Sequence, residues 1–326
     1  MWRSARSTSV ASVLVVTDLS APPWPGQRAV ITIGAYDGVH LGHQAVIAAV
    51  RRRAESLGAR SAVITFDRHP ASVVRPESAP NLLTDLDQKL ELLAETGVDA
   101  TVVVHFDEVQ AGEAPEDFVR RVLVDCLATI EVVVGEDFHF GRSRSGNVAL
   151  LRELGASNDY DVQPLPLVSR ADGVDEPISS TAIRRAMAGG DVESAAAMLG
   201  RPFEARGLVV TGDQRGRTIG FPTANVRVPI AVCIPADGVY AGWYHRPDGM
   251  VHPCAINLGR RPTFYEHADH SLLEAHLLDF DGDLYGEQAH VRFTHFLRSE
   301  RKFDGIDALR NQLKHDVEHA RAALAL

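Results

Sequence analysis

The chain has 326 residues, 45% of them hydrophobic and 23% charged, which suits two globular domains and speaks against extensive disorder. Its 33 Lys and Arg stand against 43 Asp and Glu, a formal net charge of −10, and this argues against a nucleic-acid binder that neutralises phosphates with basic side chains. Cys126, Cys233 and Cys254 are odd in number and form no C-x-x-C, so a disulfide framework and a cysteine zinc site are both unsupported.

No apolar run approaches the roughly 20 residues that cross a bilayer. The start, with Arg3, Arg6 and the short run 13–16, lacks the long apolar stretch and cleavage site of a secretory leader. The expectation is a frayed end, a short strand and a cytoplasmic protein. From residue 29 to 168, β-branched apolar runs at 29–34, 61–66, 100–106, 130–135 and 162–168 predict buried strands. The stretches 43–57, 86–96, 115–127 and 148–155 between them predict helices. Such alternation predicts an α/β domain with a doubly wound parallel sheet, binding its ligands beyond the carboxyl ends of the strands. The triplet Arg51, Arg52 and Arg53 falls inside one of these helices and reads as a solvated face.

After residue 180 the pattern changes. Two short helices are predicted at 181–188 and 192–199, punctuated by Gly189, Gly190 and Gly200. Strand-like segments at 203–211, 238–244, 252–258, 272–279 and 289–296 follow without helices between them, which predicts an antiparallel barrel or sandwich. A helix over 306–324 closes the chain. The domains are expected at 1–188 and 189–326.

Two stretches carry chemistry. The first strand runs into Gly34, Ala35, Tyr36, Asp37, Gly38, Val39, His40, Leu41, Gly42 and His43, and then into a helix. A glycine-containing turn lets the backbone approach a phosphate, and the helix start adds free N–H groups and a favourable dipole. His40 and His43 bracket Gly42, so both imidazoles can face one phosphate. Neither G-x-x-x-x-G-K-[ST] nor G-x-G-x-x-G occurs, so the site is neither a P-loop nor a dinucleotide fingerprint. Further on, Ser179 or Ser180 can cap a helix whose N–H groups, with Ser180, Thr181 and Arg184, make an anion site.

The second stretch runs from Gly212 to Asn225. Gly212, Gly216 and Gly220 with Arg215 and Arg217 allow backbone and guanidinium contacts to phosphate. Pro222 stiffens the chain before Thr223 and Asn225, two oxygen donors that point the same way on an extended strand. Oxygen donors of this kind suit a hard cation such as Mg²⁺.

These segments resemble the bacterial bifunctional riboflavin kinase/FMN adenylyltransferase family. The likeness rests on 34–43, 65–70, 133–141 and 179–184 in the first half, and on 212–225, 257–264, 273–286 and 298–303 in the second. The family usually has Phe where Tyr36 stands and Pro where Arg68 stands. The resemblance implies a nucleotidyltransferase domain followed by a riboflavin kinase barrel with a C-terminal helix. It implies riboflavin, FMN and ATP as substrates, Mg²⁺ with the ATP, and FAD, ADP and pyrophosphate as products, with no nucleic-acid or membrane partner. His40 and His43 would meet the ATP phosphates, and Ser180, Thr181 and Arg184 the triphosphate or the leaving pyrophosphate. Asp137, Phe138 and Phe140 would lie near the flavin or the adenine. Glu274 would be the general base for the riboflavin 5′-hydroxyl, with Asn257 as a flavin contact and Arg298 as a candidate for flavin or loop contact. A regulator of transcription or RNA would add a basic helix or a reader domain, and the chain has neither.

Overall fold

A computed structural model describes residues 13–212, 215–259 and 270–326. The expectations that fall on Arg3, Arg6, Asp213, Gln214 and residues 260–264, and on the side chain of Arg215, lie outside the described residues. The chain divides into two compact units, Met1–Pro80 with Thr84–Ile178, and Asn81–Leu83 with Ser179–Leu326. No described helix is long and apolar enough to cross a membrane.

The first unit is built on six parallel strands: β1 (Leu14–Val16), β2 (Ala29–Ile33), β3 (Arg60–Phe66), β4 (Ala100–Val104), β5 (Thr129–Gly135) and β8 (Asp161–Leu165). Their order is β1-β4-β3-β2-β5-β8. Every residue of β2 and β4 is buried, as a sheet covered on both faces requires. β8 takes an edge, where the missing N–H of Pro164 interrupts nothing. From β2 the chain goes first to β3 on one side and later to β5 on the other, so β2 borders the switch point of the sheet. Its carboxyl end is where such a fold binds ligands. A short pair, β6 (His139–Phe140) and β7 (Gly146–Asn147), follows β5.

One expectation for this unit needs correcting. The stretch 115–127 is not one α-helix: a single α-turn at Pro115–Phe118 passes into a π-helix over Val119–Cys126. The apolar spacing at Val119, Val122, Leu123 and Cys126 fits an α-helix equally well, so periodicity does not separate the two. The arginine triplet is exposed, as expected, and two of its members also make hydrogen bonds. Arg53 forks onto the buried Glu131 at 2.6–3.0 Å, and Arg51 donates to the Thr96 carbonyl at 2.7 Å.

The second unit opens with helices Ser180–Ala188 and Val192–Leu199. It then forms a closed antiparallel barrel of β9 (Phe203–Val210), β10 (Ala224–Pro229), β11 (Gly238–His245), β12 (Val251–Leu258), β13 (His270–Leu277) and β14 (Gln288–Arg298), in the order β10-β13-β12-β11-β14-β9. Sequence patterning predicted five of these strands. β10 was not among them, because the glycine-rich loop before it and Pro229 at its end obscure a six-residue alternation. Phe203, Tyr240, Tyr244 and Phe293 are fully buried. Helix Ile306–Ala323 packs Ala320 and Val317 against Ala241 and Ala255, whose small side chains admit it.

Candidate active sites

The backbone after β2 leaves ordinary conformational space. Tyr36, Gly38 and Val39 have φ of 51°, 81° and 37°. Only the glycine does so freely, and each non-glycine outlier costs on the order of 1–3 kcal/mol. Buried polar contacts hold the loop there. Asp37, 4% exposed, accepts from the Thr84 N–H at 3.1 Å, and Gly38 N–H donates to Thr84 Oγ1 at 3.1 Å. Tyr36 is hydrogen-bonded to Thr32 at 2.7 Å, and Thr65 Oγ1 donates to the Ala35 carbonyl at 3.1 Å.

His40 caps helix Leu41–Leu57. Its Nδ1 accepts the His43 N–H at 3.3 Å, so the neutral ring carries its proton on Nε2. The rings of His40 and His43 stack at 3.6 Å between centroids, 18° from parallel. A Cβ on Gly42 would lie 3.1 Å from His40 Nδ1, which is why glycine stands between the two histidines. Burial, then the charges of His40 and Lys89, hold the His43 imidazole well below its ordinary pKa. His43 Nδ1 is buried and meets no hydrogen-bond partner. Such a nitrogen costs about 1–3 kcal/mol until a ligand satisfies it.

The residues expected after β5 separate by role. Asp137 is exposed, Phe138 is half-buried, and Phe140 is 8% exposed within the core, stacked on Phe138 at 5.6 Å. Phe140 therefore supports Phe138 from beneath. In the second unit, Ser179 rather than Ser180 caps helix Ser180–Ala188, accepting from the Ala182 N–H at 3.1 Å. Ser180 and Thr181 stand in its first turn, and Arg184 donates from Nε to the Asn81 carbonyl at 2.6 Å.

In the barrel, strand register assembles the site. Asn225 of β10 pairs with Glu274 of β13, which pairs in turn with Asn257 of β12. Their neighbours Val226, Leu273 and Leu258 fill the interior at 0–1% exposure, so by alternation all three polar residues face outward, side by side. A Cβ on Gly212 would come within 2.5 Å of the Asn225 amide, so the bare glycine forms a cradle against that side chain. His276 Nδ1–H donates to the Pro222 carbonyl at 2.7 Å and fastens the segment before Thr223. Arg298 is engaged elsewhere: its guanidinium forks onto Asp316 at 2.7 and 2.8 Å and ties the last helix to β14.

A model of the FAD synthetase family matches residues 24–182, and one of the riboflavin kinase family matches residues 199–324. The bifunctional riboflavin kinase/FMN adenylyltransferase of Haemophilus influenzae is 38% identical over 297 residues, covering 91% of this chain and 94% of that one. The chain belongs to this family. Its counterpart in Listeria monocytogenes is also 38% identical, over 309 residues, with 94% and 96% covered. A crystal structure of a Streptococcus pneumoniae protein, named there a macrolide-efflux protein, aligns with a TM-score of 0.83 at 29% identity, covering 95% of this chain and 98% of that one.

As a member of the family, the chain carries an FAD synthetase region ahead of a riboflavin kinase region. The kinase residues fit a magnesium ion. Asn225 supplies a neutral oxygen across the ladder from Glu274, Thr223 stands two positions before it, and only a glycine at 212 can pack this closely against the Asn225 amide. Magnesium is usually held by few protein oxygens and keeps its waters and substrate phosphates. Two residues of the first site escaped sequence reasoning, Thr84 and Lys89. Both approach the loop from a segment more than 40 positions downstream, and no motif marks them.

Proposed function

We propose that the chain makes FMN from riboflavin in its second unit and FAD from FMN with its first. In the barrel, Glu274 accepts the proton of the riboflavin 5′-hydroxyl as that oxygen bonds to the γ-phosphorus of ATP and ADP leaves. Thr223 and Asn225 hold Mg²⁺, which neutralises phosphate charge when bound. Gly212, Arg215, Gly216, Arg217 and Gly220 hold the phosphates, Asn257 orients the flavin, and Arg298 acts through the helix it anchors. In adenylyl transfer, an FMN phosphate oxygen bonds to the α-phosphorus of ATP while the bond to the β-phosphate oxygen breaks, releasing pyrophosphate. Little covalent help is needed; alignment and charge stabilisation do most of the work.

His40 Nε2–H and His43 serve those phosphates, on a loop formed by Gly34, Tyr36, Asp37, Gly38 and Gly42. Ser180, Thr181 and Arg184 hold the triphosphate tail. The FAD synthetase match reaches residue 182, which supports assigning the start of that helix to the adenylyltransferase, and we place the functional boundary at 188/189. Asp137 and Phe138 contact the flavin or the adenine. The acidic balance supports small-molecule partners rather than nucleic acid, and the three free, buried cysteines suit a cytoplasmic setting.

One observation carries this reading: the stacked imidazoles lie within the first unit and the Asn225–Glu274–Asn257 row within the second, so the histidine pair and the carboxylate row are separate sets. The test is a time course with riboflavin, ATP and Mg²⁺, separating the flavins. FMN should accumulate first and FAD follow. FMN without FAD, even when FMN is supplied directly, would remove the adenylyltransferase half. Bound riboflavin with neither product would remove both.

A further inference from the structure

Helix Leu86–Glu95 buries Lys89 at 7% exposure. Its Nζ donates at 2.7 Å to the carbonyl of Phe66, the last residue of β3, and at 3.4 Å to that of Ala35, in the loop after β2. Thr65 Oγ1 donates to the same Ala35 carbonyl. The carboxylates of Asp37 and Asp67 act on the ammonium group, and Asp67 is itself paired with His105 at 2.6 Å. The Lys89 charge is felt in turn by His43, whose ring stacks on His40. A charge is expensive to bury, and an apolar side chain would pack this helix position at less cost. Packing therefore does not account for Lys89.

We propose that Lys89 is a positioning residue for adenylyl transfer: its ammonium group ties the turn that leads into His40 and His43 to the end of β3. The proposal rests on the adenylyltransferase reading above. Burial, opposed by Asp37 and Asp67, brings the Lys89 ammonium down to about 8. The tie thus loses its charge as pH rises through that value, and an arginine in its place would not.

The test uses the full-length chain, with kcat and kcat/KM for ATP in FAD formation from FMN measured between about pH 6.5 and 9.5, since kcat/KM reports groups of the free enzyme. For the wild type, kcat/KM should fall on the alkaline side with an apparent pKa near 8. Lys89→Arg should keep activity within about 10-fold and lose that fall. Lys89→Met should lower kcat roughly 100-fold, as misplaced reacting groups do, with a smaller change in KM. A flat wild-type profile overturns the proposal even if neither variant folds. So does an unchanged alkaline fall in Lys89→Arg, or an unchanged kcat in Lys89→Met. A wild-type chain that makes no FAD from FMN at any pH overturns the adenylyltransferase reading and this proposal with it; the other outcomes bear on Lys89 alone.

Discussion

The two candidate sites rest on backbones of opposite character. The loop after β2 holds Tyr36, Gly38 and Val39 at positive φ, and Thr84, Thr65 and Lys89, none of them neighbours in sequence, keep it there. Asn225, Glu274 and Asn257 lie on regular strands and are aligned by the ladder itself. A loop site depends on groups brought from elsewhere and buries them, so its charges are perturbed. A wall site depends on register and leaves its carboxylate half-exposed.

If each set serves one reaction, the sharpest break is to lose them singly. His43→Ala should lower FAD formation from FMN by roughly 100-fold or more, the scale of a lost acid, base or charge-stabilising group, and leave riboflavin phosphorylation intact. Glu274→Ala should do the reverse. Supplying riboflavin and FMN in separate assays reads the two steps apart. Loss of both activities from a folded variant would mean that the division between loop and wall is not a division of labour.

The same contrast governs what the sequence makes legible. His40, Gly42 and His43 follow a buried strand directly, so strand, turn and helix start announce a phosphate site together. Glu274 and Asn257 were singled out through family likeness alone, yet the register sets them beside Asn225. Thr84 and Lys89 were missed because their partners are loop carbonyls, an N–H and a carboxylate, and nothing local to residues 84–89 reports a loop some 46 positions earlier. Arg298 and Phe140 were singled out because they sit inside motifs, and the fold also uses one to anchor a helix and the other as core. A motif marks a neighbourhood, and burial then decides which of its members face a ligand.

Arg298 gives the next test. Asp316, 4% exposed, takes two of its three hydrogen bonds, the third going to the Ser299 carbonyl, and removing the carboxylate leaves a mostly covered guanidinium without that partner. Asp316→Ala should destabilise the second unit by about 3 kcal/mol. Asp279→Ala removes the partner of Arg321 on the same helix, but that carboxylate is 74% exposed, and the cost should be much smaller. Urea unfolding of the two variants makes the comparison, and equal costs would mean that the buried fork does not hold the helix.

The smallest effect separates the units by pH. His43 is held below its ordinary pKa by burial, then by His40 and Lys89, so the folded chain keeps it neutral where the unfolded chain, near 6.5, takes up a proton. The stability this contributes is complete above about pH 6.5 and is lost as pH falls toward the folded value, by at most about 1.4 kcal/mol per pH unit. Carboxylates held low, such as Asp67 and Asp99, would steepen the loss only at more acid pH. In the barrel, His245 is also lowered, by burial and by Arg292, so a raw slope does not identify its source. Thermal unfolding at about pH 7.5 and 5.5 should therefore be compared between the wild type and His43→Gln. The variant should lose about 1 kcal/mol or more of the acid-side decline while the share due to His245 persists. An unchanged decline would mean that His43 takes up its proton as readily in the folded chain as in the unfolded one.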